Sequence, residues 1–154
     1  MNSDTLAAYL ATRYRVFTEP AIDLRIGERS DAMVALLARH DVESAVFVTA
    51  FNPFSRPASD AGNAARQRAL AARLAHLGLT TIAGAGVDPT GCWPAEESLL
   101  ALGANRAAAD SLMVEFEQNA VVFVDRDGCA QLLMHPALRK PFRADDVTQD
   151  PPSS

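Results

Sequence analysis

The sequence predicts a mixed α/β domain, an α+β sandwich built on one main mixed sheet with hairpin edges and about four helices. Three observations carry that expectation. Two apolar runs, Ala45-Val46-Phe47-Val48 and Ala120-Val121-Val122-Phe123-Val124, lack polar alternation, as strands covered on both faces do. Segments with apolar residues at helical spacing stand between the strand candidates. Ile22, Leu24 and Ile26 alternate with Asp23 and Arg25, the pattern of a half-buried strand beside a turn.

Taken in order, Ser3 or Asp4 can cap a first helix through Thr12, with Leu6, Tyr9 and Leu10 on one face. Tyr14 to Phe17 and Ile22 to Ile26 read as a hairpin. Ser30 can cap a helix from Asp31 to about His40, with Met33, Leu36 and Leu37 buried. Ser44 to Phe51 is the expected central strand, ending where Asn52 meets Pro53. A longer helix runs from Ser59 or Asp60 to Leu77 and stops at Gly78. At 100° per residue its Asn63 lies within about 40° of the Leu70, Leu74 and Leu77 stripe, so this amide faces inward. Thr80 begins a strand that enters the glycine-rich stretch Gly84-Ala85-Gly86-Val87, where turns are the expected use of the glycines. Glu96 to Leu102 is a strand, Asn105 caps a helix through Gln118, and Asn119 is its expected left-handed stop. Ala120 to Val124 and Cys129 to Met134 then form a hairpin through Asp127-Gly128. Residues 1–135 therefore read as one globular domain, and 136–154, with four prolines among Asp and Ser, as a mostly disordered tail.

Bulk properties narrow the function. A chain of 154 residues with 49% hydrophobic and 21% charged residues can bury a core without staples. A net charge of −5 offers no basic footprint for nucleic acid, and no apolar run approaches the ~20 residues of a membrane span. Cys92 and Cys129 show no framework spacing and no leader pattern opens the chain, so a cytoplasmic location is expected.

In open sheets ligands gather beyond the carboxyl ends of central strands, which directs attention to Thr49, Asn52 and Asn63. Arg25 and Arg66, with Asn52, Asn63 and either Gln118 or Asn119, would suit a phosphorylated or carboxylated molecule. The other use of Arg25 is an ion pair with Asp23, and Asn52 and Asn119 also serve in turns and helix stops. Asp88, Glu96 and Glu97 are the acid–base candidates; Glu96 and Glu97 point to opposite faces of a strand, so at most one of them joins Asp88. Trp93, the single tryptophan, lies in the loop between them and could report on a ligand. Neither the Walker nor the dinucleotide glycine pattern is met, no metal set is spaced for ligation, and no cofactor is indicated.

Leu24-Arg25-Ile26-Gly27, Thr49-Ala50-Phe51-Asn52-Pro53, Asn63, the segment from Gly86 to Ser98 and Phe116-Glu117-Gln118-Asn119-Ala120, in that order, resemble the bacterial family catalogued as domain of unknown function 3293. The resemblance runs from Tyr9 to Met134 and implies no activity, because that family has none assigned. The expected function is binding of a small anionic metabolite, such as a nucleotide or sugar phosphate, and catalysis on it is open. The alternative is a non-catalytic interaction module in which an edge hairpin, Tyr14 to Ile26 or Val121 to Met134, pairs with another chain. The oligomeric state is not indicated.

Overall fold

The computed structural model describes residues 1–139. Its elements run α1 (Ser3–Ala11), β1 (Arg13–Val16), β2 (Ile22–Leu24), α2 (Asp31–Arg39), β3 (Ser44–Val48), a 3-10 turn (Pro53–Ser55), α3 (Asp60–His76), β4 (Thr80–Val87), β5 (Glu96–Leu102), α4 (Arg106–Phe116), β6 (Ala120–Asp125), β7 (Ala130–Met134) and α5 (Pro136–Arg139). The fold class is the expected mixed α+β arrangement. Seven strands form one curled sheet in the order β2-β1-β4-β5-β3-β6-β7.

Every neighbouring pair of strands is antiparallel, where a mixed sheet was expected. Two of the helices that stand between strands do join strands of one direction, but those strands are not neighbours. From β3, α3 leads to β4, and β5 lies between the two; from β5, α4 leads to β6, and β3 lies between them. Among the described residues a parallel contact occurs only as the isolated bridge of Ile26 with Ala130. That bridge belongs to a seam joining the two edges of the sheet: Gly27 N–H donates to Ala130 O at 2.8 Å and Ala130 N–H to Glu28 O at 3.2 Å. The sheet thereby curls into a half-barrel.

Two apolar layers hold the sheet. On one face Met33, Leu36 and Leu37 of α2 pack against Leu24, Val16, Phe47 and Leu100. On the other, Leu70 and Leu74 of α3 and Leu112, Met113 and Phe116 of α4 cover Val46, Val48 and Val121. Strand β3 contributes to both layers and is buried on both, as its unbroken apolar run requires. Ser30, Ser59 and Asn105 cap α2, α3 and α4 by accepting from Met33, Gly62 and Ala108 N–H at 3.1, 3.0 and 2.8 Å. Asn2, rather than Ser3 or Asp4, caps α1.

Three further expectations are corrected. Gly84 and Gly86 are interior residues of β4, not turn residues. A Cβ on Gly84 would lie 2.9 Å from the Phe47 ring and 2.4 Å from Arg15 O, so glycine is required there by close approach. Helix α4 stops at Glu117, which itself takes the left-handed conformation (φ 55°) expected of Asn119. The tail expected from Pro136 starts with α5, whose Arg139 pairs with Asp110 at 2.9 Å. Residues 140–154 lie outside the described residues.

Candidate functional site

Register across four segments of the sheet sets up one end of the α2-bearing face. Leu24, Tyr14, Gly86 and Glu96 stand side by side on β2, β1, β4 and β5. Gly86 leaves the row open between the Tyr14 ring and the Glu96 carboxylate. Tyr14 stacks edge-on against Phe47 with ring centroids 5.5 Å apart, and its hydroxyl donates to Tyr9 O at 2.7 Å in the last turn of α1. The carbonyl end of α1 is thus drawn to this end of the sheet.

Glu96 is the chemical centre of the arrangement. Its Oε2 accepts from Asn52 Nδ2 at 3.1 Å, whereas its Oε1 has no protein partner among the described residues. No arginine or lysine among the described residues forms an ion pair with it. Burial raises the carboxyl pKa, and the Asn52 hydrogen bond opposes that rise only in part. Burial likewise holds the phenols of Tyr9 and Tyr14 above their ordinary value, and the charge of Glu96 adds to both shifts. For Tyr9 a hydrogen bond with the Ser55 side chain acts in the opposite direction.

The loop after β3 carries these partners in a backbone shape that ordinary residues avoid. Asn52, Phe54 and Ser55 have φ of 49°, 50° and 63°, at a cost of roughly 1–2 kcal/mol for each left-handed residue. Hydrogen bonds from α3 and from the α4–β6 connection hold it. Asn63, buried on the first turn of α3, accepts from Asn52 N–H at 2.9 Å and donates to Asn52 Oδ1 at 3.0 Å, which also accepts from Ala58 N–H. Gln67 accepts from Ala50 N–H at 3.0 Å and Arg66 Nε donates to Ala50 O at 2.8 Å. Gln118 donates to Phe51 O and Asn119 to Ser55 Oγ, at 3.0 and 2.9 Å. One relay results, Asn63–Asn52–Glu96, and it orients the carboxylate through a fixed neighbour.

With this geometry described, likeness to known proteins can be placed on it. Residues 48–121 match the family model described as "Protein of unknown function (DUF3293)". The family resemblance carried by the sequence motifs is therefore borne out. The matched stretch contains Asn52, Ser55, Asn63, Glu96 and Asn119, while Tyr9 and Tyr14 precede it. No curated protein and no solved structure matches the chain.

The structure sorts the residues singled out from the sequence. Asn52, Asn63 and Glu96 come together, with Gln118 and Asn119 bracing the same loop. Thr49 is a turn brace: its hydroxyl donates to Glu97 O at 2.7 Å and accepts from Phe51 N–H at 3.1 Å. Arg66 has its guanidinium engaged by Ala50 O, Phe116 O and the Glu117 carboxylate. Arg25 is exposed and sits 3.8 Å from Glu28, not beside Asp23, which instead makes a bidentate pair with Arg15 directly across the hairpin. Arg25 and Arg66 therefore do not form the paired anion contact expected of them. Glu97 is exposed on the face opposite Glu96. Asp88 ties its own loop: its carboxylate accepts from the N–H groups of Thr90, Cys92 and Trp93 at 3.0, 3.0 and 3.2 Å. These bonds hold its pKa below the ordinary value, which suits a loop brace and not a proton acceptor at neutral pH. Trp93 is 70% exposed in that loop, three residues before Glu96. Tyr14 was not singled out from the sequence as a site residue, because only the strand register brings it beside Glu96, and Tyr9 follows through its bond with Tyr14.

Proposed function

We propose that the protein binds a small polar metabolite at the sheet end where Glu96, Tyr9 and Tyr14 converge, with Glu96 as the group that anchors it and can exchange a proton with it. One observation carries this reading: a half-buried carboxylate with one oxygen fixed by Asn52, the other without a protein partner and no cation paired to it among the described residues. An ionised carboxylate removed from water without a countercharge is costly, and such groups cluster where binding or catalysis uses them. The strained loop that orients it supports the same reading. Location in the reducing cytoplasm goes with the proposal, supported by two cysteines that are unpaired in the fold.

Edge-strand pairing with another chain has less support, because hydrogen bonds between the segments around Gly27 and Ala130 join the two edges. The test is a thermal-shift screen of the wild type and Glu96→Gln against small polar metabolites of both charges. A ligand at 100 times its dissociation constant should add about 2.7 kcal/mol to stability in the wild type. Equal stabilisation of the variant by every hit would remove Glu96 from the site.

A further inference from the structure

We infer that this site takes a small organic cation, a primary ammonium group being its simplest form, and not a phosphate or carboxylate. The inference rests on the proposed site and deepens it by assigning the charge of the ligand. Glu96 presents Oε1 without a protein donor among the described residues, so a ligand that brings N–H donors completes its coordination. The second source of negative potential is α1. Its carbonyl end reaches Tyr14 through Tyr9 O, and its last turn holds no basic residue. A helix C-terminus carries roughly half a negative charge, so it favours a cation at the place where Glu96 already does.

The cations of the surrounding elements do not answer this field. The pleat sends Arg13 and Arg15 to the face opposite Tyr14, and Arg15 is held by Asp23 at 2.7 Å. The guanidinium of Arg66 is bound to two backbone carbonyls and Glu117. Arg56, next to Ser55 on the loop, is exposed and lies 5.8 Å from the centre of the Phe54 ring. An anion at Glu96 would meet like charge, whereas an ammonium group would meet a carboxylate.

The experiment is an amide-resolved NMR titration of the full chain at neutral pH. The probes are ethylammonium chloride, sodium acetate, sodium phosphate and ethanol, with sodium chloride matching ionic strength. Saturable shifts centred on the amides of Tyr14, Gly86 and Glu96 with ethylammonium, and at least tenfold weaker binding in a folded Glu96→Gln variant, are the expected result. Glu96→Asp keeps the charge but shortens the reach, and should bind with an intermediate affinity if the carboxylate is the ligand. Saturation by acetate or phosphate at the same amides would overturn the charge assignment and leave the site in place. Ethanol binding as tightly as ethylammonium would do the same. If no probe moves these amides, and the metabolite screen gives no Glu96-dependent hit, both the inference and the site reading fail.

Discussion

Replacing Asn63 with alanine isolates the bond that aims Asn52 at Glu96. Asn63 is 6% exposed and makes two hydrogen bonds to one residue, accepting from Asn52 N–H and donating to Asn52 Oδ1. The first loss strands a backbone donor, which costs roughly 1–3 kcal/mol where water reaches it poorly. The second removes a net contribution of about 0.5–1.5 kcal/mol, at the low end because Ala58 N–H still serves the same oxygen. The sum is about 1.5–3.5 kcal/mol, or roughly 3–14 °C in Tm for a chain of this length. Urea titration followed by circular dichroism measures it. Asn63→Asp keeps the acceptor for Asn52 N–H but sets a second oxygen against Asn52 Oδ1, so it should recover only part of the loss. A double-mutant cycle with Asn52→Ala should show a coupling of about 1 kcal/mol or more, as for residues sharing a hydrogen-bond network. A loss under about 0.5 kcal/mol in Asn63→Ala, with an unchanged urea slope, would refute the claim that this amide holds the loop.

Removing the Glu96 charge should stabilise the fold. The folded-state pKa is raised, so the contribution of this group to stability is present below its unfolded pKa and is lost as pH rises through the folded one. Glu96→Gln, which retains an acceptor for Asn52, should therefore melt higher than the wild type by roughly 0.5–2 kcal/mol at neutral pH. The gap should close as pH falls toward the ordinary glutamate range, and a gap that widens on acidification would sink the reasoning. Gly84→Ala forces a Cβ against Phe47 and Arg15 O and should cost about 1–3 kcal/mol, whereas Gly86→Ala, whose nearest neighbour would be Thr12 Cγ2 at 3.6 Å, should fold with a smaller loss. Similar melting temperatures for the two variants would contradict the packing described. Asp88, whose pKa is depressed by loop N–H groups, stabilises its loop above the unfolded carboxylate value and ceases to do so as pH falls through the lower folded one. Acid titration of Trp93 fluorescence should therefore show a change below about pH 4 that is absent in Asp88→Ala.

The sequence made the elements legible because each rests on local chemistry. Unbroken apolar runs marked β3 and β6, Ser30, Ser59 and Asn105 marked helix starts, and helical phase turned Asn63 inward. What it hid depends on register between distant strands. Strand alternation separated Glu96 from Glu97 but not which of the two faced the site; pairing of β5 with β4, and of β4 with β1, decides it for Glu96. The same pairing explains Gly84 and Gly86, which look like turn glycines until Phe47 and Tyr14 are known to lie over and beside them. Asp23 and Arg25 are two residues apart on one strand, a separation of roughly 7 Å. Arg15 is directly opposite Asp23, and opposite residues have Cβ atoms about 5 Å apart. The cross-strand partner wins.

The charge inferred for the ligand turns on which donors the fold leaves open, not on residue types alone. Arginines and amides near a strand end suggest an anion, and that holds only while their donors are free. Arg66 is fixed before any ligand arrives, since it closes the end of β3, where Ala50 O would otherwise lack a partner, and shares Phe116 O with the Gln118 amide. The amides of Asn52 and Asn63 close on each other and on Glu96. After these internal bonds are made, the buried Gln67 Nε2 lacks a partner, and the unpaired charge at this end among the described residues is the Glu96 carboxylate, with the carbonyl end of α1 adding to it. The field that remains therefore has the opposite sign to the one that residue counting implies. Glu96→Gln tests this directly, because the substitution changes the sign-determining group and leaves every brace in place.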